Sequence, residues 1–440
     1  MAPPAAAAAG RLGAARRALL PVTVEPVLFL FMVGSYMQYT ALQSLIYAKV
    51  CQERYSSYVC DTLDLAEHKP QEDEVQDQSS YWMLLSNVAL AVPSVISGIY
   101  IGTWSDVFGR KVPLLLPPLG QILSALAPVD LVILASGVAG ALGGFAGMIL
   151  VVMSYLSAVT ATGARTARVG VLEAMSLLGG FIGPFVGSLV FEQAGRTWTF
   201  CALLIINVAI VLYVVLLVRE VPPPCPPPAA DSLCETLTQL FSLRHLLDAI
   251  LTSVRSREGR RRRYILMLLA SSFVIMLNSS GEMHATYLFV RDAPLAVEDS
   301  TYFAYFAYKY GISSAALLIG MPLSRRYFPL SDTALSGLGL TSKILGLIWL
   351  GFAVNKAMLF IAPLVMILNT FCIPPIRSML SKLVEDNEQG RIFSMVMVIE
   401  SLCSLFGSLV YNSVYPATRR HLHGLVFLLG AASLLVPVLH

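Results

Sequence analysis

The sequence predicts an all-α integral membrane protein of twelve transmembrane helices, set in two six-helix halves with both the N and C termini in the cytoplasm. Three observations carry that prediction. Twelve apolar stretches follow one another along 440 residues, of which 56% are hydrophobic and 13% charged. A chain with a mean hydropathy of +0.70 has lipid as its solvent. The short links between the stretches alternate between basic and acidic or nearly neutral, the pattern left when Lys and Arg are retained on the inner side. Midway lies one long polar segment, which divides the stretches six and six.

The net charge of +3 is concentrated in the inner links and reports topology. With no basic patch interleaved with aromatics, no nucleic-acid partner is expected, and the lipid bilayer is the first partner. Seven cysteines are scattered with no CxxC pair and no Cys/His metal spacing. No nucleophile and base pair or metal cluster stands out, so neither an enzyme nor a catalytic cofactor or metal is expected.

Residues 1–24 are Ala/Pro-rich, carry Arg11, Arg16 and Arg17, and read as a cytoplasmic N-terminal segment. The apolar run that follows is too long for a signal peptide and lacks a small-residue cleavage pattern, so it reads as an uncleaved first helix. The N-terminal half, 25–218, holds predicted spans at 26–48, 81–104, 112–127, 131–158, 168–191 and 197–218. The C-terminal half, 264–440, holds spans at 264–290, 302–323, 333–354, 357–376, 391–414 and 424–440. The third and the last are short for a crossing of about 20 residues.

Arg110 and Lys111, Arg165 and Arg168, the arginines between 255 and 263, Arg325 and Arg326, and Lys382 and Arg391 all fall on even-numbered links. The first odd link, 51–80, carries Asp61, Asp64, Glu67, Glu72, Asp73, Glu74 and Asp77, which turns it outward. Cys51 and Cys60 share that link, where a disulfide is chemically possible. The cytoplasmic linker, 219–263, opens on Pro222, Pro223 and Pro224 and closes on Arg260, Arg261, Arg262 and Arg263. Proline extends the backbone, so the linker is semi-rigid, with its basic end anchored at an anionic inner leaflet.

After the second span comes Gly102-Thr-Trp-Ser-Asp106-Val-Phe-Gly109-Arg110-Lys111. It resembles the G-x-x-x-D-x-x-G-R-K signature of the major facilitator superfamily, which implies the major facilitator fold and a transporter. Glycines allow close approach of helices, and Asp106 is placed to pair with Arg110 and cap the next helix, latching the cytoplasmic side. A degenerate echo, Gly320 with Ser324, Arg325 and Arg326, follows the eighth span, as a repeated half requires.

Three further stretches narrow the resemblance: Val24-Glu25-Pro26, residues 376–390 from Ile376-Arg377 to Gln389-Gly390, and Tyr411-Asn412-Ser-Val-Tyr415-Pro416-Ala-Thr418. They are similar to solute carrier family 46. That resemblance implies proton-coupled symport of folate or a related organic anion by alternating access, with a small folate-like anion and protons as partners. It leaves open another organic anion or lysosomal product, as sister members carry. Gly179-Gly-Phe-Ile-Gly183-Pro184-Phe-Val-Gly187 resembles the Gly-Pro motif of proton-driven drug exporters, which keeps export open; its plain reading is a hinge. The plasma membrane is the expected site, with an endosomal or lysosomal membrane as the alternative.

Charge inside hydrocarbon is independent evidence for a transport path, because an unpaired ion at mid-bilayer costs about 3 kcal/mol on insertion scales. The predicted spans retain Glu173, Glu282, His284, Lys309, Lys343 and Glu400, with Arg377 at the inner end of the tenth. By resemblance, Glu173 occupies the position of the family's proton-coupling glutamate, and Arg377 that of its arginine, either holding a substrate carboxylate or latching through Glu385, Asp386 or Glu388. Glu282 and His284 point about 200° apart on an ideal helix, so one of them is expected to face the cavity and join in proton coupling. His245 matches a loop histidine of the family that bears on the same step. Lys309, Tyr305 and Glu400 complete the substrate-binding set, Lys309 for an anionic tail and Tyr305 for stacking on a flat ring. Two departures stand out: Val138 and Gly144 lie where the family carries an arginine and an aspartate. The family's outer disulfide lacks its second cysteine here, leaving Cys51 with Cys60 as a substitute.

Overall fold

Proline at the first turn and a carboxylate beside it start the first helix. Glu25 accepts from the amides of Thr23 (2.7 Å) and Val24 (3.0 Å), groups that a helix N-terminus otherwise leaves bare. The computed structural model describes residues 23–62, 68–107, 109–128, 131–221, 260–291, 295, 299–327, 330–385, 388–418 and 422–439. Among them, the regular structure is wholly helical. The N-terminal set is α1 (Glu25–Arg54), the short α2 (Ser57–Asp61), α3 (Lys69–Val107), a 3₁₀ turn (Pro113–Leu115) leading into α4 (Leu116–Leu126), α5 (Val132–Ala141), α6 (Gly144–Val159), α7 (Arg165–Ala194) and α8 (Arg196–Leu216). The C-terminal set opens with α9 (Arg261–Arg291) and α10 (Asp299–Ala315), then a π segment (Ala316–Gly320) and α11 (Met321–Tyr327). It continues through α12 (Asp332–Gly351), α13 (Lys356–Val365), a 3₁₀ segment (Ile367–Phe371), α14 (Ile373–Leu383), α15 (Gln389–Thr418), α16 (Leu425–Ser433) and α17 (Leu435–Leu439).

Among the described residues, eight helical segments are long and apolar enough to cross a membrane. They lie in α3, α5 with α6, α7, α8, α9, α12, α13 with α14, and α15. The shorter apolar segments, Pro113–Leu126 and Leu425–Val438, coincide with the two spans that looked short in the sequence. Lipid as solvent is plain on α8, which exposes Trp198, Ile205, Val208, Leu212, Val215 and Leu216 along its length.

Three expected spans are broken. The fourth is interrupted between α5 and α6, where Gly143 (φ 101°) and Gly144 (φ 54°) adopt left-handed backbone that costs a Cβ-bearing residue strain. Gly144 therefore belongs to a backbone break. The tenth passes through 3₁₀ between α13 and α14, bracketed by Pro363 on one side and Pro374 and Pro375 on the other. The eighth contains the π segment, for which the sequence carries no marker.

The acidic link is shorter than expected, because Lys69–Ser80 already belongs to α3, a stretch rich in good helix formers. Cys51 and Cys60 are disulfide-bonded, with 5.9 Å between their Cα atoms. Glu74 pairs with Arg54 and accepts from the Tyr55 hydroxyl (2.7 Å), tying α1 to α3. Gly179 and Gly183 lie where a Cβ would meet Met32 Cβ at 2.4 Å and the Val33 carbonyl at 2.7 Å. The Gly-Pro motif thus packs α7 tightly on α1, and α7 runs through Pro184 unbroken.

Candidate functional site

Two buried charge clusters lie inside the helical body. In the first, Arg377 in the middle of α14 donates through Nη1 to Glu173 of α7 and through Nη2 to Glu400 of α15. The arginine side chain is 6% exposed and each carboxylate-bearing side chain 19%. Its Nε is buried with no hydrogen-bond partner. Two carboxyl groups share one guanidinium, so with both ionised the triad carries one surplus negative charge, and it bridges the N-terminal and C-terminal sets.

The second cluster joins Glu282 of α9 to Lys309 of α10 at 2.6 Å and to Lys343 of α12 at 3.6 Å. Lys343, 1% exposed, also donates to Ser279 Oγ (2.5 Å), one turn before Glu282 on the same face. Here two ammonium groups share one carboxylate, leaving a surplus positive charge. Tyr305, one turn before Lys309, is buried and stands edge-on to Phe360 with ring centroids 5.8 Å apart. Ser314 Oγ donates to the carbonyl of Ala174 (3.2 Å), next to Glu173, which fixes the relative depth of the clusters. Lys309 precedes Ser314 by five residues, about 8 Å of helical rise. His284 lies on α9, but its side chain falls outside the described residues, as does the whole of His245.

At the end of α3, Asp106 accepts from the amides of Gly390 (2.8 Å) and Arg391 (3.1 Å), the N-terminus of α15. Arg110 is 3.5 Å away and donates to the Ser154 carbonyl as well. Asp106 thus caps a helix of the opposite set, where the sequence pointed to the next helix along the chain. Backbones touch there: a Cβ on Gly390 would sit 2.0 Å from the Gly102 carbonyl oxygen. Gly109 turns the chain at φ 112°, and the amides of Arg110 (2.8 Å) and Lys111 (3.1 Å) donate to Glu220. Nearby, Arg165 donates to the Ser381 carbonyl (3.1 Å), and Thr166 Oγ1 lies 2.7 Å from Ser378 Oγ and 2.8 Å from Asp332. Lys382 completes the group with a 2.6 Å bond to Asp332.

Sequence reasoning counted Arg165, Arg168 and Lys382 as topology markers only and gave Lys343 no role. Arg168 pairs with Glu25 at 2.5 Å, locking α7 to the start of α1. For the three at span ends the signal was a charge with its own possible partner; for Lys343 it was a charge at the middle of a span.

The sequence profile of the Major Facilitator Superfamily matches residues 24–408. The chain belongs to that superfamily. It is a multi-pass membrane transporter, and its curated relatives are transporters too. The proton-coupled folate transporter of Bos taurus is 26% identical, over 84% of this chain and 80% of its own length. The lysosomal proton-coupled steroid conjugate and bile acid symporter SLC46A3 of Gallus gallus is 25% identical, over 94% of this chain and 92% of its own. Both belong to the solute carrier family 46 that the motifs resembled. Among solved structures, the human organic anion transporter MFSD10 shares the fold with a TM-score of 0.72 at 17% identity, covering 96% of this chain and 98% of that one. The proton:xylose symporter XylE follows at 0.63 and 11%, with 94% of each chain covered.

Proposed function

We propose that this protein carries a folate-like organic anion together with protons by alternating access. The observation that supports this most is Arg377 held between Glu173 and Glu400, with a further N–H left to give. A guanidinium grips a carboxylate bidentately, so cargo and the two glutamates compete for one fork. Protonation of Glu173 withdraws its claim, frees one edge of Arg377 for the cargo's carboxylate, and loosens a bond that joins the two sets. Loss of the proton restores the bond and expels the cargo on the other side. Proton entry is thereby tied to loading. Glu282, His284 and His245 tune the proton step, Lys309 and Tyr305 join Arg377 and Glu400 in holding cargo, and Asp106 with Arg110 closes the inner side.

The same proposal takes the chain as twelve spans in halves 25–218 and 264–440, joined by a linker at 219–263, with segment 1–24 and the C terminus cytoplasmic. The rods outside the eight long apolar segments supply the remaining crossings, and the plasma membrane is the host, with an endosomal or lysosomal one as the alternative. A second cargo, a steroid conjugate or bile acid, is favoured by Val138 and Gly144 standing in place of charges, and by SLC46A3 aligning over 94% of the chain. Uptake of labelled reduced folate and of a labelled steroid sulfate, each at acidic and neutral outer pH, separates the two. Acid-stimulated uptake of folate is the expected result. Stimulation of the steroid sulfate alone moves the protein to the second cargo, and stimulation of neither refutes proton-driven import of both.

A further inference from the structure

Apart from the two charge clusters, α9, α12, α14 and α17 line a half-open cavity of about 510 Å³. Its wall is mostly apolar, built by Leu268, Leu340, Ile376, Met379 and Val438, with Ser271, Thr333, Ser336 and Lys382 also on it. An adjoining groove of about 410 Å³ shares Met267 with it and is flanked by Arg262 and Arg263. The first turns of α9 and α12 and the last turn of α14 meet at this cavity, so it sits at one end of the bundle, level with the basic run. None of the buried charges of the two clusters lines it.

We infer that this is a binding site for an anionic phospholipid, with an acyl chain in the cavity and the phosphate among Arg262, Arg263 and Lys382. The predominantly apolar lining suits hydrocarbon, and the volume is in the range of ligand sites, about 300–1,000 Å³. The charge at the mouth decides the headgroup: basic pockets between transmembrane helices at the inner leaflet recognise anionic lipids. A zwitterionic lipid sets its own quaternary ammonium beside the phosphate, which offsets the attraction of the arginines and leaves it too weakly held to be retained. The site bears on transport through Lys382, whose partner Asp332 lies 2.8 Å from Thr166 in the opposite set. A phosphate that draws on Lys382 competes with Asp332 and so acts on the contact between the sets.

Full-length protein in detergent, titrated with dioleoyl-phosphatidylglycerol or dioleoyl-phosphatidylcholine, tests this by thermal unfolding and by lipid retained in native mass spectrometry. Phosphatidylglycerol is expected to raise Tm and to be retained, and phosphatidylcholine to do neither. R262Q/R263Q, at two exposed positions, should weaken retention of phosphatidylglycerol roughly tenfold. Gly337→Leu should abolish retention with the lipid-free Tm preserved, because a Cβ there meets nothing within 4 Å and points into the space the chain would fill. Equal effects of the two lipids, or an undiminished preference for phosphatidylglycerol in either variant, would overturn the assignment.

Discussion

A guanidinium bonded to two carboxylates and still holding a spare N–H is a poor structural brace and a good exchange point. Arg377→Lys keeps the charge and loses the fork, so transport should fall by at least tenfold while Tm changes little, a split read from uptake and thermal unfolding together. In the second cluster the two partners of Glu282 predict an asymmetry. Lys343→Met leaves a balanced Glu282–Lys309 pair and should cost little. Glu282→Gln leaves the buried Lys343 and the partly exposed Lys309 without their carboxylate and should destabilise by about 3–5 kcal/mol, with much of the loss recovered when Lys343→Met is added. Tm of the three variants in detergent checks this, and equal losses for both single substitutions would contradict it. The sequence singled out Glu173, Glu282, Lys309, Arg377 and Glu400 because charge in hydrocarbon is expensive. It did not show that Lys309 answers Glu282 while Arg377 answers Glu173 and Glu400. Partner choice depends on the register of several helices at once, and one residue of slip turns a side chain by about 100°.

Helix ends carry the next level of control. Asp106 places a carboxylate on the two bare amides that open α15, where a negative charge is worth about 0.3–2 kcal/mol. Asp106→Asn should loosen that contact, raising the reaction of a cysteine introduced at the seam with a thiol reagent applied from the cytoplasmic side. Gly390→Ala should act more severely, since the added methyl would meet the Gly102 carbonyl oxygen at 2.0 Å. At the other end of α3, the Tyr55 hydroxyl bond and the charge of Arg54 hold the Glu74 carboxyl below its usual range. A depressed carboxylate stabilises the folded state above its unfolded pKa and loses that contribution as pH falls through the folded value. The tie between α1 and α3 should therefore survive mild acid, and amide exchange at residues 55–62 should rise only below the ordinary carboxylate range, a dependence that Glu74→Gln removes. The pairing of Asp106 with Arg110 and the capping of a helix were legible from the motif's spacing. Its target was not, because α15 lies nearly 300 residues along the chain and nothing local in the motif names it.

Between the two clusters the charge arithmetic is complementary: with every partner ionised, one surplus negative charge lies at Arg377 and one surplus positive charge at Glu282, and Lys309 of the second lies about 8 Å of helical rise from the Ser314 that bonds beside Glu173. An anionic cargo that carries a proton in with it leaves that balance intact, whereas either ion alone disturbs it. Apolar period and loop charge were enough to foresee a helical membrane protein, since both follow from the bilayer directly. The breaks at Gly143 and Ile367–Phe371 show why straight spans were too simple: glycine and proline stand at them, but only packing decides whether such a residue bends, breaks or passes through, as Pro184 does.

Glu173→Gln, assayed for both net acid-driven uptake and cargo-for-cargo exchange in the same cells, addresses the coupling most directly. A side chain fixed in the neutral form should abolish the stimulation of net uptake by outer acid while exchange continues, because binding survives and only proton release is lost. Net uptake that keeps its full acid stimulation would mean that the carboxyl on α7 carries no proton with the cargo.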